Sequence, residues 1–140
     1  YTVTYDICDK AGNKLSSGAV TVYVKNDLPV KSVKFAGKEV NYALTSKKSG
    51  KLSVKMNKGY TLKKITVTTY NKAGKEVVKA LKNNSTLKLG KYAYIYDNSY
   101  SSSRYYSTSL AARTKITITY IDKYTKQECE TVYSLSRLAK

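Results

Sequence analysis

Apolar and polar residues alternate with a period of two over most of the chain, and helical spacing is nearly absent. Leu52, Val54 and Met56 alternate with Lys51, Ser53, Lys55 and Asn57, the pattern of a strand with one face buried and the other in water. Ile65, Val67 and Thr69 run into Asn71-Lys72-Ala73-Gly74, and apolar residues resume over Val77 to Leu81, which predicts a β-hairpin. The same phrase occurs early, as Val3-Thr4-Tyr5 with Asp9-Lys10-Ala11-Gly12. It returns late, as Ile116 to Tyr120 with Asp122-Lys123.

Other strands fill the intervals. Residues 1–8 and 18–25 form a first pair, the second rich in β-branched and aromatic side chains that suit a pleated surface. Asn26-Asp27-Leu28-Pro29 breaks the pattern, because Pro29 cannot donate to a ladder and forces its predecessor into extended geometry. This places a boundary between a terminal hairpin and linker, 1–29, and a main domain, 30–140. Val33 and Phe35 turn at Ala36-Gly37 into a strand carrying Val40, Tyr42 and Leu44. Tyr60 and Leu62 are out of phase with Ile65, so a bulge is expected near Lys63-Lys64. Beyond the turn at Asn83-Asn84-Ser85, one long strand is predicted. Leu87, Leu89, Ala93 and Ile95 share one of its faces and Tyr92, Tyr94 and Tyr96 the other, with Gly90 as a kink. Asp97 to Ala112, rich in Ser and Tyr, reads as an exposed loop with a short helical turn over Thr108 to Ala112. Arg113–Tyr120 and Gln127–Leu135 predict a closing hairpin. Seven or more short strands separated by polar turns argue for an all-β, antiparallel sandwich.

Thr2-Val3-Thr4-Tyr5, the Asp9-Lys10-Ala11-Gly12-Asn13 turn, Ala19 to Val24 and the Asn26 to Pro29 exit resemble the last two strands and linker of a bacterial immunoglobulin-like repeat. Such repeats occur on surface and secreted proteins of Gram-positive bacteria. The resemblance implies an immunoglobulin-like β-sandwich over 30–140, preceded by a hairpin that either joins it or ends an upstream sandwich. It also implies an extracellular or cell-surface location, neighbouring domains of the same parent chain as partners, and a structural or adhesive role. The Trp and paired Cys of antibody domains are missing. The alternation already runs at Thr2, so sequence upstream is expected.

Charge sharpens this picture. The net charge is +17, and it is unevenly spread. Residues 1–29 balance three lysines with three aspartates, whereas residues 30–91 set sixteen lysines against Glu39 and Glu76 alone. Such a field draws polyanions by counterion release. Lys47, Lys48, Lys51, Lys55, Lys63 and Lys64 are the candidate contacts, and an anionic cell-wall polymer or acidic glycan is the candidate partner. Nucleic acid is disfavoured, since neither a basic helix nor an RNA-recognition signature is present. Lysines on exposed strand faces also keep an all-β protein soluble and its edges unpaired, which is the ordinary reading of the same residues. No segment reaches the ~18 apolar residues of a membrane span.

Catalytic chemistry finds little material. With no His, the Ser-His-Asp and Cys-His nucleophiles and histidine metal sites are excluded. Glu128 and Glu130 share one strand face and read as a solvated edge rather than a catalytic pair. Cys8 and Cys129 lack metal or redox spacing and read as separate thiols, with a bridge between the first and last hairpins as the alternative. The chain is therefore expected to be no enzyme, without metal or cofactor. A second candidate ligand surface is aromatic: Tyr92, Tyr94, Tyr96, Tyr100, Tyr105 and Tyr106, with Arg104 among them. A row of rings with hydroxyl tips stacks on sugar rings, or packs against a neighbouring loop or domain. A carbohydrate-binding module is accordingly the alternative function.

Overall fold

The computed structural model describes residues 1–24, 28–40, 44–93, 95–97, 106–108 and 111–138, with the backbone alone at 95–97 and 106–108. Among these residues there are twelve strands and no helix: β1 Thr2–Cys8, β2 Lys14–Thr21, β3 Val30–Phe35, β4 Lys38–Glu39, β5 Ser49–Met56, β6 Thr61–Tyr70, β7 Glu76–Leu81, β8 Thr86–Lys88, β9 Ile95–Asp97, β10 Tyr106–Thr108, β11 Ala111–Ile121 and β12 Glu128–Leu138. Two antiparallel four-stranded sheets, ordered β12-β11-β6-β7 and β4-β3-β5-β8, pack as a sandwich. The period-two pattern explains why. Ile65, Val67, Ile116, Ile118 and Leu135 point from one sheet into a common core with Val33, Phe35, Leu52, Val54 and Leu87 from the other.

The repeated phrase marks three turns built alike. Asp9 Oδ1 accepts from the backbone N–H of Ala11 and Asn13, and Asn71 Oδ1 from those of Ala73 and Lys75. Asp122 Oδ1 accepts from Tyr124 and Thr125. In each, the residue before the closing position takes positive φ: Gly12 at 86°, Gly74 at 75° and Lys126 at 60°. An Asx side chain mimics a backbone turn and fixes where the return strand starts. A fourth turn, Ala36-Gly37, has positive φ at both central residues, as a type I′ hairpin requires.

The expected bulge is present. Thr119 pairs with Lys64 but Tyr120 with Leu62, so Lys63 is the extra residue on β6 and the phase shift between Leu62 and Ile65 is absorbed there.

Three expectations need correction. The long strand from Leu87 to Tyr96 is broken: β8 ends at Lys88, and pairing resumes only at Ile95. Gly90 is the reason. Its N–H donates to Thr114 Oγ1 at 2.9 Å and its carbonyl accepts from Arg137 Nε at 2.7 Å, so the chain leaves its sheet and is tied to the other one. A Cβ at Gly90 would lie 3.3 Å from the Arg113 carbonyl, which a side chain would crowd. Second, the segment expected as a loop with a helical turn over Thr108 to Ala112 contains β10, paired with β9, and the start of β11. Its Tyr and Thr residues favour extended backbone. Third, β4 ends at Glu39, short of Val40, the first apolar residue of the strand expected to carry Val40, Tyr42 and Leu44. Val40 N bonds Val33 O and the side chain is buried; Leu44, 59% exposed, instead makes a parallel bridge to Ser136 on β12. Between them, Asn41 to Ala43 lie outside the described residues.

β1 and β2 form a two-stranded sheet of their own and join neither larger sheet. Val3, Tyr5, Ile7 and Val20 share one face of this hairpin, each about half exposed. Its exit is anchored on the sandwich. Asn57 Nδ2 donates to Leu28 O at 2.6 Å, Asn57 N donates to Pro29 O at 2.9 Å, and the Tyr23 ring meets that of Tyr124 with centroids 5.7 Å apart. Cys8 and Cys129 are unbridged. No helix among the described residues is long and apolar enough to cross a membrane.

Candidate functional site

The lysines divide between surfaces. On β5, Leu52 and Val54 face the core, so Lys51, Ser53 and Lys55 face outward. Register adds neighbours that sequence spacing does not reveal: Lys34 on β3 stands beside Ser53, Lys55 beside Ser32, Lys51 beside Thr86 on β8, and Lys88 beside Ser49. Lys34, Lys51, Lys55 and Lys88 thus cover one outer face, set in a ground of Ser and Thr. Lys51 and Lys55 are about 13 Å apart along β5, and adjacent strands are about 4.8 Å apart. These spacings are comparable to the screening length of about 8–10 Å, so the ammonium groups reinforce one another's potential.

One carboxylate interrupts the face: Glu39 Oε1 lies 3.6 Å from Lys34 Nζ. Both groups are about half exposed, so the pair contributes at most about 1 kcal/mol. Among the described residues, no carboxylate pairs with Lys51, Lys55 or Lys88.

The other predicted lysines go elsewhere. Lys63 is the bulge residue of β6 and Lys64 stands beside Thr119, both on the opposite sheet. Lys47 and Lys48 precede β5, where Lys48 O accepts from Leu89 N at 3.0 Å. The structure therefore gathers two of the six expected lysines, Lys51 and Lys55, and adds Lys34 and Lys88. Period-two phase along each strand was the available signal for these two; cross-strand register was not.

The tyrosine row has no continuous strand beneath it. Tyr92 sits half-buried in the bend after β8 and lines a cleft of about 440 Å³ with Val67, Val77 and Leu87. Tyr94, Tyr100, Tyr105 and Arg104 lie outside the described residues, as do the side chains of Tyr96 and Tyr106. A different aromatic cluster is present. Tyr60 packs edge-on against Tyr120 and Tyr124 at 6.0 and 6.5 Å, and Lys123 Nζ sits 5.2 and 4.8 Å from the Tyr60 and Tyr124 rings. With Tyr23 it forms the seam between hairpin and sandwich. Sequence distance conceals it, because its members come from three separate segments.

Among the described residues, no group of three or more Asp, Glu or Cys is placed to hold a metal ion. Comparison with protein-family models, curated proteins and solved structures returns no match for this chain.

Proposed function

We propose that this chain is a non-enzymatic, extracellular structural and adhesion module of a bacterial surface or secreted protein, and that its outer lysine face holds an anionic polymer of the cell wall or an acidic glycan. The observation carrying the ligand half is the set Lys51, Lys55 and Lys88, unpaired among the described residues on one Ser/Thr-lined face. Ammonium groups held on a sheet without carboxylate partners neutralise a polyanion and release its counterions, which supplies affinity without a pocket.

Strand order supports the immunoglobulin-like half. β3, β5 and β8 follow the order of strands A, B and E of such a sandwich, and β7, β6, β11 and β12 that of C′, C, F and G. The Leu44–Ser136 parallel bridge is consistent with a first strand that crosses from one sheet to the other. On this reading the hairpin β1–β2 belongs to a neighbouring domain of the same parent chain, and Tyr23 and Tyr124 set the angle between the two.

The test is binding to a panel of polyanions and neutral glycans at two salt concentrations. Saturable binding to polyanions that falls steeply with salt is the expected result. Binding that ignores salt and disappears in Tyr92→Ala would move the ligand to the tyrosine segment, and no binding to any polyanion would end the proposal.

A further inference from the structure

Arg137 is a buried charge that has no carboxylate partner among the described residues. It is only 8% exposed, and a guanidinium removed from water ordinarily finds a carboxylate, since an unpaired buried charge is costly. Nε donates to Gly90 O at 2.7 Å, while one terminal nitrogen has only a long 3.5 Å contact with Leu138 O. Donor capacity remains on the guanidinium, and Arg137 lines a niche of about 250 Å³ together with Lys48, Ser49, Lys88, Leu89 and Lys91. Four cations line it and no acid does.

The frame of this niche is held from both sheets. Leu89 N bonds Lys48 O, Lys88 stands in register beside Ser49, and Gly90 is fixed between Thr114 and Arg137. Cations that would repel one another in a loose loop are thus kept together by main-chain bonds.

We infer that the niche binds one tetrahedral oxyanion, a phosphate or sulfate ester carried by the polymer that lies on the lysine face; the inference rests on the polyanion reading and names the group recognised. The donor set favours a tetrahedral anion over a carboxylate. A guanidinium fork, three ammonium groups and a serine hydroxyl exceed what the two oxygens of a carboxylate accept, whereas phosphate or sulfate offers three or four oxygens in different directions. Lys88 belongs to both the face and the niche, so the two surfaces adjoin.

The test uses the whole chain and two simple probes, inorganic phosphate and inorganic sulfate, each titrated by NMR at constant ionic strength. Saturable shifts confined to the amides of Ser49, Leu89 and Gly90 are expected. Lys91→Gln, an exposed position whose loss leaves the fold intact, should weaken the complex about tenfold, as loss of a charge-assisted hydrogen bond does. Arg137→Lys, which keeps the charge and removes the fork, should also weaken it, with folding checked by its amide spectrum. Lys51→Gln with Lys55→Gln should leave probe binding unchanged. Shifts that never saturate, or that survive Lys91→Gln and Arg137→Lys, overturn the niche. A poly(glycerol phosphate) and a sulfated glycan, run in parallel, decide which ester is the source. If polymer binds with a salt-dependent affinity while neither probe saturates, the niche fails and the polyanion face stands. If the probes saturate and neither polymer binds, the niche stands and the face fails.

Discussion

The side-chain amide of Asn83 pairs with the main chain of Val54 in both directions: Oδ1 accepts from Val54 N and Nδ2 donates to Val54 O, each at 2.9 Å. Asn83 thereby acts as a strand residue for the free edge of β5, continuing the ladder that β8 makes one turn later. Removing it leaves a partly buried N–H and C=O without their partner. Asn83→Ala should cost about 1–3 kcal/mol, read as a lower midpoint in urea unfolding. An unchanged midpoint would mean that water replaces the amide and that the ladder does not depend on it.

Gly74 isolates backbone strain from packing. A Cβ there meets nothing within 4 Å, and φ is 75°. Gly74→Ala is therefore expected to lose about 1–2 kcal/mol through the dihedral alone, and Gly74→Asn distinctly less, because Asn tolerates the left-handed region. Equal losses for the two variants in thermal unfolding would assign the cost to something other than φ.

Asp9 links the first hairpin to acid. Its carboxylate accepts from the Asn13 side chain at 2.9 Å, and this bond, followed by backbone N–H groups including those of Asn13 and Ala11, holds its pKa below the ordinary carboxylate value. Because the folded value is depressed, the stabilisation is fully present above the ordinary unfolded pKa and is lost as pH falls through the lower, folded one. Amide exchange in β1 and β2 should stay constant from neutral pH down to the ordinary carboxylate range, after correction for intrinsic rates, and accelerate only below it. Asp9→Asn should remove that acid step. Persistence of the step in the variant would place its origin in another carboxylate.

How far the sequence reaches is clear from particular residues. The three Asx turns, the Ala36-Gly37 turn, the bulge at Lys63 and the inward faces of β5, β6 and β11 all follow from local rules: side-chain phase, positive-φ residues and short polar caps. What escaped were events between distant segments. Gly90 ends β8 because Thr114 and Arg137 bind it, and neither partner is near in sequence. The lysine face was half legible for the same reason. Phase places Lys51 and Lys55 together, but only register brings Lys34 and Lys88 beside them and sends Lys64 to the opposite sheet.

Tyr23 and Tyr124 hold the hairpin to the sandwich by a ring contact that leaves Tyr23 half exposed. Tyr23→Ala should leave the unfolding free energy of the sandwich within about 0.5 kcal/mol, since the ring lies outside its core. The same change should let the hairpin reorient, seen as faster and more isotropic NMR relaxation of β1 and β2 relative to β5 and β6. If the relaxation of both parts stays matched, the Asn57 bonds to Leu28 and Pro29 alone fix the junction.

The lysine face makes a quantitative prediction that separates a face from a field. Binding driven by the overall charge of +17 depends on every lysine about equally, whereas a polymer lying on one sheet reaches only that sheet. Each ammonium that neutralises a phosphate contributes roughly 0.7–0.9 to the slope of log affinity against log salt, by analogy with nucleic-acid strands. Lys51→Gln with Lys55→Gln should therefore reduce the slope by roughly 1.5. Lys63→Gln with Lys64→Gln removes the same charge from the opposite sheet and should change it by much less than one. Equal reductions from the two pairs would show that the molecule attracts polyanions as a diffuse positive body, with β5 no more than a sample of its surface.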